Sequence, residues 1–235
     1  MTYGVAESAL AKMIAEWEDN LPEDMHLAYL PNALTGVRLR LSIYGGCKTE
    51  QEARIESELA GLKAILGDII YSDKDDTLEA AVGAILKANK CTLSAAESCT
   101  GGLISSLITS VSGCSEYYYG SVTSYANYVK QNVLGVPQEI IEKHGAVSSE
   151  CVAAMAEGVR RITGTDYSVA TSGIAGPGGG SDEKPVGTVW IGVSSEKGTE
   201  TYRLRFNSDR KRNIERFASS ALHILLKKLQ NELNP

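Results

Sequence analysis

The spacing of apolar and polar positions divides the chain into two units. Residues 4–20 carry Val5, Leu10, Met13, Ile14 and Trp17 at helical spacing, which predicts an amphipathic helix. Residues 26–30 (HLAYL) predict a short strand closed by Pro31-Asn32. Residues 37–44 alternate, with Val37, Leu39, Leu41 and Ile43 on one side and Arg38, Arg40 and Ser42 on the other, the pattern of a half-buried strand. Residues 49–67 predict a second helix with Ile55, Leu59, Leu62, Ile65 and Leu66 on its apolar face, and residues 68–71 a third short strand. The order α-β-β-α-β predicts a small α+β domain over residues 1–72. The charged run Ser72-Asp73-Lys74-Asp75-Asp76 marks its end.

Residues 77–235 form the second predicted domain. Helix 78–89 leads to strand 92–95, helix 102–111 and strand 121–125. Two short helical pieces follow at 127–134 and 138–143. Ser148 or Ser149 can cap a long helix ending near Ile162, with Glu150 well placed in its first turn. Strand 167–172 runs into a glycine-rich loop, strands 188–193 and 199–206 suit a hairpin, and helix 212–233 closes the chain. Interleaved helices and strands predict a three-layer α/β/α domain with a mixed sheet.

Composition narrows the function classes. Residues 1–76 hold 7 Lys+Arg against 14 Asp+Glu, a net −7, and the remainder holds 16 against 15. So acidic a module argues against nucleic-acid binding, whose affinity comes mainly from neutralising phosphates. No apolar run approaches the roughly 20 residues of a membrane span, and no signal-peptide pattern opens the chain. The five cysteines are odd in number and form no C-x-x-C pair, which suits a reduced, cytoplasmic protein and neither a disulfide frame nor a zinc site. The three histidines form no metal-ligand spacing with carboxylates, so no metal or other cofactor is expected.

Chemistry-bearing residues gather between Thr92 and Lys130. Glu97, Ser98, Thr100, Gly101 and Gly102 stand where a strand turns into a helix. Backbone N–H groups there can hold an anion or a developing oxyanion, while Ser98 or Thr100 can equally be a helix cap. Ser115, on the next loop, and Lys130, past the next strand, raise a second possibility. A lysine with a depressed pKa can serve as base for a serine, and Tyr125 could orient the amine or carry a proton. A surface lysine, a loop serine and a core tyrosine are the plain alternatives. The loop from Ser172 to Gly187, with Gly173 and Gly176, is long for a connector, and its N–H groups could line a phosphate site. Arg210, Lys211, Arg212 and Arg216 gather at the start of the last helix, where cations oppose the helix dipole and would suit an anionic partner.

The strings AESCTGG, SYANYVK, HGAVS and TSGIAGPGGGSDEKPVGTVW, with the Gly-x-Ser loop and the arginine-rich last helix, resemble the C-terminal domain of the CinA family of competence/damage-inducible proteins. GVAES and LAYLPNALTGVRLRLS look like that family's KH-type middle domain. The resemblance implies a nicotinamide mononucleotide amidohydrolase, which releases nicotinic acid mononucleotide and ammonia in pyridine-nucleotide salvage. Carried over by position, it places the nucleophile at Ser115, the base at Lys130, a neighbouring tyrosine at Tyr125 and a second serine at Ser98. Ser172 matches the Thr or Ser before Gly-Ile-Ala-Gly-Pro. Arg212 is the first match for a substrate-binding arginine, with Arg210 as the alternative. The family's further N-terminal domain, similar to molybdopterin-binding proteins, has no counterpart in this sequence, so the chain is expected to be part of a longer protein. The expected partner is a small nucleotide, with no membrane and no nucleic acid, and the chain is expected to form a homo-oligomer. The competing reading is a non-catalytic nucleotide- or RNA-binding module.

Overall fold

The computed structural model describes residues 1–32 and 36–233. Ala33, Leu34 and Thr35, inside the stretch carrying the KH-type resemblance, and Asn234-Pro235 lie outside the described residues. The chain divides into two compact units, Met1–Thr77 and Leu78–Pro235.

In the first unit, helix α1 (Glu7–Asp19) is followed by strands β1 (Met25–Asn32) and β2 (Gly36–Ile43) and by helix α2 (Lys48–Leu66). The strands pair antiparallel, Met25 facing Ile43 and Leu30 facing Arg38. Leu10, Ile14, Val37, Leu62 and Leu66 form the core, with Trp17 and Leu59 packed against it. Two strands cover only a narrow stripe of each helix, so Met13 and Ile65 stay 45% and 44% exposed although their spacing placed them on the apolar faces. The third strand expected at 68–71 does not form. Gly67–Ile69 is a single 3-10 turn, and Ile70 makes only an isolated bridge to Thr2.

The second unit begins with helix α3 (Leu78–Asn89), strand β3 (Leu93–Glu97) and helix α4 (Leu103–Thr109). Strand β4 (Tyr118–Thr123), helices α5 (Asn127–Asn132), α6 (Gln138–His144) and α7 (Ser149–Thr163), and strand β5 (Tyr167–Gly173) follow. The hairpin β6 (Thr188–Ser195) and β7 (Gly198–Arg205) leads to helix α8 (Arg210–Leu233). Ser148 caps α7, accepting from the Cys151 N–H at 3.2 Å. The strand order is β4-β3-β5-β6-β7. β4, β3 and β5 run parallel, and β6 and β7 are antiparallel, making the expected mixed sheet.

Helix α7 packs on one face of the sheet, and α4 and α8 on the other. The β3, β5 and β6 strands are almost wholly buried because helices cover both faces. Ala96, Ala170, Val152, Met155, Ala156 and Val159 pack together beneath α7. At the far end of α8, the buried Lys228 amine meets Glu200 at 2.6 Å and Glu232 at 2.9 Å, and Glu232 also accepts from the Tyr167 hydroxyl. That network ties the last helix to β5 and β7.

This topology sets where a site can form. From β3 the chain crosses over α4 to β4 on one side, and later returns over α7 to β5 on the other. In open α/β sheets such a reversal leaves a crevice at the carboxyl ends of the strands. Ser98 follows β3 directly, Ser124 and Tyr125 follow β4, and Ser172 is the last residue but one of β5.

Candidate active site

The turn after β3 is built by a buried carboxylate. Glu97 is 0% exposed and accepts from the N–H groups of Gly102, Ile104 and Ser105 at 2.9–3.0 Å, and from the Ser105 hydroxyl at 2.7 Å. Its oxygens face the start of α4, where backbone donors have no intrahelical partner. Glu97 therefore shapes the turn and does not reach a ligand, in contrast to its expected place in the substrate site. Gly101 and Gly102 take φ of +63° and +103°, which glycine adopts without a Cβ penalty. Thr100 shares a 2.8 Å hydrogen bond with Thr171 inside the fold. Two ladder bonds extend past the strands, Ser98 N–H to Thr171 O at 3.0 Å and Ser124 N–H to Glu97 O at 2.8 Å. They fix Ser98 and the 124–125 carbonyls side by side.

Lys130 reaches this place from α5. It is 1% exposed, and its Nζ lies 3.0 Å from Ser98 Oγ, 2.7 Å from Ser124 O and 3.2 Å from Tyr125 O. Burial pushes the amine below the ordinary lysine range. The groups acting on it electrostatically are the Cys151 and Cys99 thiols, which burial itself raises to about 11 and about 12. Both stay protonated near neutral pH, so neither offsets the desolvation of an ammonium ion. A neutral amine has two N–H donors and one lone pair. The charged amine donates to Ser98 Oγ as well as to the two carbonyls; in the neutral form the carbonyls can take both donors and leave the lone pair toward the Ser98 hydroxyl. Such an arrangement can hold an amine base against a hydroxyl nucleophile.

Helix α7 keeps α5 in position. Gly158 lets the Leu134 carbonyl approach so closely that an added Cβ would lie 2.1 Å from its oxygen, and Arg161 donates to that carbonyl at 3.1 Å. Val136 N–H in turn donates to Lys130 O at 3.0 Å. Gly158→Ala is expected to lower stability by about 1–3 kcal/mol through overpacking, read as a lower urea midpoint.

Ser98 and Lys130 open into a cavity of about 190 Å³, also lined by Cys99, Asn127, Ser172, Gly173 and Arg210. Ser172 belongs to it, but its hydroxyl donates to Ala146 O at 2.6 Å and so braces the 146–147 turn. Lys184 holds the same turn by donating to His144 O at 2.5 Å. Arg210 donates to Gly176 O at 2.7 Å and to Tyr125 OH at 3.2 Å. Gly176 thus contributes a carbonyl anchor for the arginine, at φ +88°. Asn213, fully buried, donates to Ala175 O and Ser208 O and keeps the glycine loop against the start of α8.

Three expectations change. Ser115 does not meet Lys130. It is exposed on the short turn Cys114–Glu116 before β4, whereas Lys130 follows β4. Six strand residues at ~3.3 Å each put them roughly 20 Å apart. Tyr125 touches the lysine through its backbone carbonyl, while its hydroxyl faces Arg210. Arg210, not Arg212, lines the cavity; the Arg212 side chain is 71% exposed and pairs with Asp209. Asn127 and the 146–147 turn are additions, and their sequence signal is that they belong to the SYANYVK and HGAVS strings. Among the described residues no group of three or more His, Cys, Asp or Glu could hold a metal, and no helix is long and apolar enough to cross a membrane.

A mixed sheet with a serine and a buried lysine in its carboxyl-edge crevice defines the larger unit as an α/β domain with a serine–lysine pocket. The chain belongs to the CinA family. The CinA C-terminal domain matches residues 75–229, and the damage-inducible protein CinA KH domain matches residues 1–72. A CinA-like protein of Salinibacter ruber is 47% identical over 94% of this chain and 53% of its own length. One of Cytophaga hutchinsonii is 43% identical over 97% of this chain and 54% of its own. The chain thus spans about half the length of these curated relatives. Among solved structures, the competence damage-inducible protein A of Klebsiella pneumoniae superimposes with TM-score 0.64 at 36% identity, covering 66% of this chain and 96% of that protein. A competence/damage-inducible protein of Agrobacterium tumefaciens gives TM-score 0.63 at 33% identity, covering 67% and 94%.

Proposed function

We propose that the larger unit is an amidohydrolase that deamidates nicotinamide mononucleotide, with Ser98 as nucleophile and Lys130 as base. The observation that carries this reading is the 3.0 Å approach of a buried, counterion-free amine to the Ser98 hydroxyl beside an arginine. Ser98 Oγ attacks the carboxamide carbon while Lys130 takes its proton. Backbone N–H groups of the turn following Ser98 receive the oxyanion; the Gly102 N–H is excluded because it already donates to Glu97. Lys130 returns the proton to the nitrogen, ammonia leaves, and an acyl-serine remains. Water, deprotonated by Lys130, attacks that ester and releases the carboxylate and the serine. The sum is amide plus water giving acid plus ammonia, with no redox step. Arg210 offers its remaining N–H donors to an anionic substrate.

The direct test is incubation of the chain with nicotinamide mononucleotide and measurement of ammonia. Stoichiometric ammonia and nicotinic acid mononucleotide are expected. Tight binding without turnover would instead favour a nucleotide-binding module.

A further inference from the structure

One residue closes both ends of the turn that carries Ser98. The Glu97 main-chain carbonyl accepts from the Ser124 N–H at 2.8 Å, and Ser124 O in turn accepts from Lys130. The Glu97 carboxylate takes the other end, through the N–H groups of Gly102, Ile104 and Ser105 and the Ser105 hydroxyl. Ser105 Oγ also lies 2.8 Å from Tyr118 OH and 2.7 Å from Ser121 Oγ, both on β4. The carboxylate is thus tied to the strand whose end holds the lysine.

Between those two ends the turn has little to keep it in shape. Among the described residues, the N–H groups of Thr100 and Gly101 find no hydrogen-bond acceptor. Thr100 is buried, and a buried N–H without a partner is rare in a folded protein. Gly101 and Gly102 allow this turn but allow many others, so only outside contacts select it. A carboxylate close to a developing oxyanion opposes it electrostatically. Four donors converge on this one, which offsets the cost of burying it, and what it supplies is geometry.

We infer that Glu97 is a positioning residue for the hydrolytic step: its carboxylate holds the turn after Ser98 so that the unpartnered N–H groups there meet the tetrahedral oxyanion. The inference rests on the amidohydrolase reading for that step and adds a residue that touches neither the substrate nor the reacting atoms. Glu97→Gln separates this role from that of the base. Size is kept, and so are the main-chain bond to Ser124 and the carbonyls on Lys130. The amide has one accepting oxygen in place of two, so part of the donor set faces an NH₂ group instead.

The test has two arms. With nicotinamide mononucleotide, Glu97→Gln is expected to lose about 10²-fold in kcat, with KM within about twofold. The midpoint of the pH–rate profile should not move, since Lys130 still sets it. An unchanged or raised kcat, a loss carried by KM, or a shifted midpoint overturns the role. The second arm needs no turnover. A pyridinylboronic acid, which becomes tetrahedral when a serine oxygen adds to boron, is titrated into each protein and followed by boron NMR. An adduct on the wild type that is about tenfold or more weaker in Glu97→Gln supports the role even if no ammonia forms, in which case only the amidohydrolase reading fails. No adduct on the wild type, or equal adducts on both, overturns the role whatever the first arm shows. Circular dichroism checks the fold. Should Glu97→Gln unfold, Ser105→Ala, which removes one side-chain donor and keeps the backbone ones, replaces it with the same signs and smaller losses.

Discussion

Lys130→Met is expected to abolish ammonia release, with kcat reduced by about 10³-fold or more, while the protein stays folded. Methionine fills the space of the lysine stem but has no base. Its cost to the fold is two carbonyls, Ser124 O and Tyr125 O, left without the amine, at about 1–3 kcal/mol each. That cost is offset in part because an amine no longer has to be buried. Lys130→Arg is expected to be equally inactive, since guanidinium keeps its charge and cannot act as a base near neutral pH. Activity retained by the arginine variant would eliminate proton transfer by residue 130 and leave only an electrostatic role.

The same lysine sets a pH dependence whose sign follows from burial. Its folded pKa is lowered, so the neutral, active amine becomes populated below the ~10.4 of an ordinary lysine. The rate should therefore rise with pH through a midpoint displaced to the acid side of that value. Stability follows the same direction. Between the folded and unfolded pKa values the unfolded chain binds more protons, so stability rises with pH across that window and is lost as pH falls through the folded value. Urea unfolding of Lys130→Met at alkaline pH should lack this rise.

The second large effect separates two serines. Ser98→Ala is expected to lower kcat by about 10³-fold or more, whereas Ser115→Ala should leave it within about twofold. The contrast rests on geometry: Ser98 Oγ is 3.0 Å from the Lys130 amine, and Ser115 is exposed at the opposite edge of the sheet. Ammonia release measured side by side decides it. Loss of activity in Ser115→Ala with full activity in Ser98→Ala would return the nucleophile to the position first suggested by resemblance. Circular dichroism on both variants controls for folding.

The sequence carried more of the fold than of the site. Alternation along 37–44, the caps at Ser148, and the apolar runs of β3, β5 and β6 announce their elements because burial on one face or two leaves a period in the chain. The expected strand at 68–71 shows where that fails. Four residues such as Asp68-Ile69-Ile70-Tyr71 suit a strand or a turn, and the choice depends on whether a neighbour offers a ladder. Among the described residues, Met1 to Tyr3 offer it a single isolated bridge, at Thr2.

For the site, the residue types were legible and their partners were not. ESCTGG, Lys130 and the glycine loop were recognisable from unusual hydroxyls, glycines and an isolated lysine at element ends. The resemblance placed the nucleophile at Ser115 and left Ser98 as a second serine, whereas the fold sets Ser98, not Ser115, beside Lys130. The deciding rule was topological. In a parallel β-α-β unit, residues just past each strand share the carboxyl edge, and a loop before a strand lies at the other edge. Ser98 and Lys130 both follow strands, whereas Ser115 precedes one. The same holds for the arginines. Arg210 and Arg212 are two residues apart on one helix, so they point about 200° apart, and only one can face the cavity.

The chain by itself determined the two-unit division, the mixed α/β/α class and the family, because these rest on periodicity and on ordered strings of residue types. Only the tertiary structure decided that Glu97 braces the turn after β3, that Tyr125 meets the lysine through its carbonyl, and that Lys130 meets Ser98. Those facts depend on which strand lies beside β3, and on a lysine losing water to two carbonyls from a neighbouring strand end. Desolvation and long-range pairing are properties of the folded chain, and no local pattern of residues encodes them.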